Sequence, residues 1–411
     1  MKTVFCTLLV IVMFSNVFAQ KDCALTRPEL TPLTDLAGQY FRGFKGGLYG
    51  NGSNIAPETH RIAVNNILQE IVPRNSIGSP DNNGKIIMIG VGASNPRTEF
   101  NEFIRNYYLY PERNESLALV NTCIGGQGIQ KMNQQTDNYW KQAQKIIEDS
   151  NYSIHQVQIA WIETDNTQQS DTVFPRAPLS LAKEYQQLLV TLRKEFPQLK
   201  LCYLSARGYA GWVSDNQSVG RGLLYPRDYY NGWAIRFLLD SIMTNQGDYS
   251  YSGSDAKIPL ATWGSYLWTN GEKPRNDGFV LDCETDIGPD GLHLTVAGEK
   301  KMGQHIFETF KANNSASSWF SGNTSTLINE QANDNTSMIY YNPSSGQLHI
   351  TMQDFPSSDL TLKVYSAYGH EMFSETLTNS YSNVSFLSNG LYYCILQDYD
   401  RVFTYHFMVI R

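Results

Sequence analysis

Lys85-Ile86-Ile87-Met88-Ile89-Gly90-Val91-Gly92 is a short apolar run that ends in glycine, and Ala93-Ser94-Asn95-Pro96 comes directly after it. The run reads as a strand, and Ala93 to Pro96 as a turn into a helix. Similar strand-like runs recur at Leu117–Asn121, Gln156–Ile162 and Lys200–Leu204, with a weaker fifth at Ile258–Thr262. Between them, Thr136–Glu148, Leu179–Phe196, Tyr230–Met243 and Val296–Phe310 carry apolar residues at three- and four-residue spacing, the period of an amphipathic helix. Strand and helix in alternation imply an α/β fold: a parallel sheet of about five strands with helices on both faces. In such sheets ligands sit beyond the carboxyl ends of the strands, which is where chemistry is to be sought.

The 411 residues suggest two or three domains, and 41% hydrophobic with 17% charged residues is a globular composition. Net charge is −7, with no Lys/Arg run and no basic stripe interleaved with aromatics, so a polyanion binder is excluded. The 25 Tyr and 7 Trp suit a sugar-contacting surface as well as an aromatic core.

At the N-terminus Lys2 is followed by an apolar run from Val4 to Phe14 and by Val17-Phe18-Ala19, the pattern of an export signal cleaved after residue 19. The run is too short for a membrane helix, and no other segment qualifies. Cys23, Cys123, Cys202, Cys283 and Cys394 remain after cleavage, which allows at most two bridges in an exported protein; Cys202–Cys283 is the expected pair. With no CxxC motif and no Cys/His cluster, no metal site is expected.

Residues 20–312 thus form the α/β domain. Residues 313–336, which include Asn313-Asn314-Ser315 and Gly322-Asn323-Thr324, read as a polar linker. Beyond it the pattern is all-β: Gln347–Met352, Thr361–Tyr365 and Tyr392–Leu396 alternate, separated by turn residues, as in a small β-sandwich over 337–411. Asn342-Pro343-Ser344-Ser345-Gly346-Gln347-Leu348, Val364-Tyr365 with Gly369, Leu387-Ser388-Asn389-Gly390-Leu391-Tyr392 and the closing strand Tyr405–Arg411 resemble the C-terminal sorting domain of the type IX secretion system of Bacteroidota. That resemblance implies export through the periplasm, the type IX machinery as a partner, and a secreted or cell-surface location. A carbohydrate-binding or adhesive β-module is the alternative for this tail.

Asp290-Gly291-Leu292-His293 sits just before the Val296–Phe310 helix. A carboxylate three residues ahead of a histidine can reach that imidazole, fix its tautomer and stabilise the imidazolium. Ser94, at a strand end and a helix start, is the candidate nucleophile, with its own N–H placed for a developing oxyanion. The order Ser…Asp…His also occurs in α/β-hydrolases, but their elbow needs a second glycine where Pro96 stands.

Residues 45–312 resemble the SGNH (GDSL-like) hydrolases through four blocks: Gly92-Ala93-Ser94-Asn95, Val120-Asn121-Thr122-Cys123-Ile124-Gly125-Gly126-Gln127, Trp161-Ile162-Glu163-Thr164-Asp165-Asn166, and Asp290 with His293. The first block lacks the usual Asp after Gly, and the third lacks the usual Gly before Asn. The resemblance implies a three-layer, flavodoxin-like fold and a serine esterase. Ser94, Asp290 and His293 would form the triad, with the Ser94 and Gly126 N–H groups and the Asn166 side chain as oxyanion donors. His60, Gln127, Arg207 and Trp212 are candidate substrate contacts. Acylated polysaccharide or a small ester is the expected substrate, with lipid and aryl esters left open and with no metal and no organic cofactor. The other readings are a catalytically silent glycan-binding protein on the same fold and a surface adhesin whose working part is the tail.

Overall fold

The computed structural model describes residues 21–214, 220–313 and 316–322, and then 337–342, 346–352, 360–366, 371–377, 381–388, 390–398 and 401–409. The expected export signal and the stretch 323–336 of the expected linker lie outside the described residues. Two compact units divide between Gly322 and Asn323.

The first unit is built on five strands: β3 (Ile86–Gly92), β4 (Leu117–Asn121), β5 (Val157–Glu163), β6 (Leu201–Ala206) and β7 (Leu260–Tyr266). A small hairpin, β1 (Tyr40–Phe41) and β2 (Phe44–Lys45), precedes them. The large sheet runs β4-β3-β5-β6-β7 and every pairing is parallel. In order of entry this is 2-1-3-4-5, the order of flavodoxin-like doubly wound sheets. All seven residues of β3 and of β5 are buried, as expected of strands covered on both faces. The cover comes from α1 (Glu58–Leu68), α2 (Ser94–Leu109), α3 (Asn138–Asp149), α4 (Arg176–Glu195), α5 (Arg227–Ile242) and α7 (Val296–Ala312), with α2 packed on α7 and α4 on α5.

The fifth strand starts later than its sequence suggests. Pro259 has no N–H for a ladder, and the Ile258 N–H is already given to the Ser250 carbonyl. Pairing with β6 therefore begins at Leu260, opposite Leu201.

Cysteine pairing differs from the expectation. Cys283, at the start of the short helix α6 (Cys283–Asp286), is bridged to Cys23, with a Cα–Cα distance of 5.8 Å. Cys202 lies inside β6, fully buried between Ala160 and Ala261 on the neighbouring strands, and is a free thiol. A central strand offers it no cysteine at bridging distance.

The α/β unit also extends past residue 312, into the expected linker. Trp319 and Phe320 in α8 (Ser317–Phe320) are buried, and the Phe320 ring lies 4.9 Å from Tyr107 and 5.9 Å from Phe310. Two bulky aromatics in an otherwise polar stretch gain more by burial against α2 and α7 than by solvation.

The second unit contains two antiparallel sheets. One is β11-β10-β13-β14, from β10 (Thr361–Ser366), β11 (Glu371–Thr376), β13 (Gly390–Asp398) and β14 (Arg401–Val409). The other is β12-β9-β8, from β8 (Ser337–Asn342), β9 (Gln347–Met352) and β12 (Tyr381–Asn383). Leu348 and Ile350, Leu362 and Val364, and Cys394 and Leu396 are buried at every second position and share one core. Among the described residues no helix is long and apolar enough to cross a membrane.

Candidate active site

Because the five strands are parallel, their carboxyl ends meet at one edge, and the site is assembled there. β3 ends at Gly92. A Cβ at this position would lie 2.3 Å from the Glu163 carbonyl oxygen and 2.5 Å from Pro96 Cγ, so the chain can turn beside β5 only with glycine here. Ser94 then opens α2. No side chain caps this helix start, so the helix presents its positive end at Ser94.

The Ser94 Oγ lies 2.9 Å from Nε2 of His293. His293 Nδ1 lies 2.5 Å from Oδ2 of Asp290, whose Oδ1 accepts the backbone N–H groups of His293 and Leu292 at 2.9 and 3.0 Å. Two further features hold this loop in place. Asn95 Nδ2 donates to the Leu292 carbonyl at 2.9 Å, tying the loop to the start of α2. Gly291 has a φ of +74°, and a Cβ there would stand 2.8 Å from the Trp212 carbonyl oxygen. The Asp-Gly pair thus supplies both the carboxylate and the left-handed turn that lets it reach its own histidine.

The electrostatics follow from these bonds. Burial disfavours ionised Asp290, but the hydrogen bonds from His293 and Leu292 outweigh it and bring the carboxyl down to about 2. The hydrogen bond to Asp290 raises the His293 imidazole above its ordinary value, against partial burial and the nearby Arg207 charge. The arrangement is a hydroxyl bonded to an imidazole, and an imidazole bonded to a fixed carboxylate, the order that an activated serine nucleophile requires.

Beside Ser94 lies a cavity of about 30 Å³, whose walls include Asn95, Glu163, Thr167, Arg207 and Leu292. Its floor is a layer of buried charge. Asp165 pairs with Arg227 at 3.3 Å, with both side chains almost wholly buried, and accepts Asn231 Nδ2 at 3.1 Å. Glu163 faces Glu99 of α2: burial, with their mutual repulsion, pushes the Glu99 carboxyl well up, and burial also raises Glu163. Burial and mutual repulsion both act against the two ionising together. Carboxyls in direct contact are too close for the separated pair of glycoside hydrolysis.

Ser94, His293 and Asp290 are therefore brought together, and Arg207 lines the same cavity. The other candidates are elsewhere. The Asn166 side chain donates to Glu184 Oε2 at 2.8 Å and accepts the N–H groups of Gln168 and Gln169, so it closes its own turn and does not point to Ser94. Gly126 is exposed on its loop, its carbonyl accepting Lys131 Nζ, and neither it nor Gln127 lines the cavity. Trp212 is buried against Tyr209, with ring centroids 4.7 Å apart, and acts as a support behind Gly291. His60 lies in α1 at a second cavity of about 390 Å³, with Tyr49 and Trp263. The Glu99–Glu163 pair went unread in the sequence. Its one signal is a glutamate on the buried face of α2, between apolar helix positions.

Residues 338–411 match the family model of the secretion system C-terminal sorting domain. The second unit is thus the sorting domain of the type IX route of Bacteroidota, and the protein is secreted or displayed at the cell surface. No curated protein matches the chain. Among solved structures, the chain is similar to a gut microbial diltiazem-metabolizing enzyme at 11% identity, with a TM-score of 0.32 over 77% of this chain and 76% of that one. It is also similar to a modular endo-beta-1,4-mannanase from Cellulomonas fimi (10% identity, TM-score 0.19, 72% and 53% of the chains). An endo-beta-1,4-mannanase from Thermotoga petrophila follows at 9% identity and a TM-score of 0.19, over 80% of each chain. Likenesses this slight carry no weight for fold or activity.

Proposed function

We propose that the α/β unit is an exported serine esterase that hydrolyses small carboxylic esters, with O-acetyl groups on polysaccharides as its substrate class. The observation that carries this reading is the continuous hydrogen-bonded chain from Ser94 Oγ through His293 to Asp290. The four-block resemblance to SGNH hydrolases supports it. So does the size of the cavity beside Ser94, which admits an acyl group of few atoms and leaves the alcohol portion outside. Delivery to the cell surface brings the unit to extracellular polymers.

In this mechanism His293 Nε2 takes the Ser94 proton as Oγ attacks the ester carbonyl. Asp290 stabilises the imidazolium, and the Ser94 N–H at the start of α2 faces the tetrahedral oxyanion. His293 returns its proton to the leaving alkoxide. Water, activated by the same histidine, then releases the acid and regenerates Ser94. The test is release of acetate from acetylated xylan and pectin, and of p-nitrophenol from short esters, with Ser94→Ala and His293→Ala alongside. Turnover lost in both variants is the expected result; folded wild type that turns over no ester overturns the reading. One observation favours a second reading, a catalytically silent glycan-binding protein: Asn166 and Gly126 do not reach the cavity. That reading predicts no covalent reaction with a serine-directed phosphonate.

A further inference from the structure

We propose that Arg207 is an oxyanion donor of this site, supplying the charge stabilisation that Asn166 does not. The inference rests on the esterase reading and concerns a residue that the resemblance assigns no catalytic role.

Arg207 follows β6 at the same sheet edge as Ser94, and its backbone N–H is anchored on Asn231 Oδ1 at 3.3 Å. The residue is 6% exposed, yet its guanidinium makes no hydrogen bond with any described residue. Nε and Nη1 are buried without a partner, and the cavity beside Ser94 is the space the residue faces. A neighbouring arginine shows that this chain can satisfy such a group: Arg227 donates to the Gly222 and Asp171 carbonyls and to Asp165. The carboxylates around Arg207 feel its charge but make no hydrogen bond to it. Asp165 is held by Arg227 and Asn231, Asp228 accepts the Ala210 N–H and Trp268 Nε1, and Glu163 lies against Glu99. A buried guanidinium left without hydrogen bonds is costly, and such a cost is a common mark of a functional site.

The size of the cavity decides what Arg207 touches. About 30 Å³ has room for little more than one or two water-sized groups. Ser94 and Arg207 line this one small cavity, so a carbonyl held there for attack by Ser94 lies beside the Arg207 charge, on the side where an oxyanion would be stabilised.

The experiment compares wild type, Arg207→Met and Arg207→Lys on p-nitrophenyl acetate and acetylated xylan, with thermal melts to establish that each variant folds. Should methionine not be accepted at this buried position, Arg207→Gln is read in its place. Loss of one such donor lowers kcat by about a hundred- to a thousandfold with little change in KM, and lysine restores part of that loss. A folded Met or Gln variant that keeps kcat within about threefold overturns the proposal, well short of the loss expected for an oxyanion donor. A loss confined to KM overturns it too, and makes Arg207 a binding residue. If wild type turns over neither ester, the esterase reading itself falls; that outcome is visible without any change at residue 207.

Discussion

The cavities at Ser94 and at His60 lie in the same α/β unit, and the larger has no hydrogen-bonded chain of side chains at its histidine. The His60 cavity measures about 390 Å³ against about 30 Å³ at Ser94, and it has aromatic walls in Tyr49 and Trp263. Its imidazole nitrogens, however, make no hydrogen bond among the described residues, and burial pushes the ring down to about 4, so it stays neutral with no carboxylate to orient it. The Tyr49 hydroxyl meets Thr262, and Trp263 Nε1 is spent on the Leu48 carbonyl. At Ser94 the polar groups form a directed chain, with a serine hydroxyl at one end and a fixed carboxylate at the other. Volume says where a molecule can rest; the sequence of hydrogen bonds says whether anything can happen to it.

The comparison breaks most visibly at its reactive end. Ser94→Ala and His293→Ala should each lower kcat on short esters roughly a million-fold, as expected when one member of a concerted set is removed. Activity left at a tenth of wild type would show that the chemistry lies elsewhere. Asp290→Asn should cost about ten-thousandfold by favouring the wrong tautomer. It should also move the acid limb of kcat/KM. Asp290 raises His293, so wild type loses its neutral base as pH falls through a value above the ordinary one; without Asp290 the limb moves to lower pH. Arg207 acts in the opposite sense on the same imidazole, so Arg207→Met should move that limb to higher pH. Limbs that move together would break the electrostatic picture of the site.

Glu99→Gln tests the buried layer through stability rather than rate. The folded-state values of Glu99 and Glu163 lie above the unfolded ones, so their contribution is complete at acid pH and is lost as pH rises through the folded values. As pH rises above the ordinary carboxylate range the wild-type melting temperature should fall, and that of the variant should fall less. Equal slopes in the two proteins would mean that the pair does not resist ionising together. The smallest effect is expected at the other cavity, where His60→Ala should leave kcat within about twofold of wild type. A larger loss would make the two cavities one functional site.

Much of the fold was legible because it depends on local pattern. The run at Ile86–Gly92 can hardly be exposed on either face, which demands helices above and below it. Asp290 and His293 were legible as a pair because the two residues between them, one of them a glycine, place the carboxylate on its imidazole. Ser94 was legible by its position at a strand end. Asn166 misled for an equally local reason: an asparagine beside free backbone N–H groups bonds those first, and Glu184 of a helix 18 residues on completes the capture. The bridge to Cys23 and the burial of Trp319 and Phe320 were not legible. Each depends on a segment folding back across most of the unit, and no spacing records that.

Sequence by itself determined the two-unit plan, the alternation of strand and helix, the sorting tail, and the residues of the Ser94–His293–Asp290 chain. These come from periodicity and from contacts within a few residues, which a linear string displays. Tertiary structure alone decided that Glu99 meets Glu163, that Arg207 is left unbonded beside Ser94, and that His60 belongs to a different cavity. The physical reason is that the state of a buried charge depends on every group packed around it. Those groups come from strands and helices whose separation along the chain has no bearing on their distance in space.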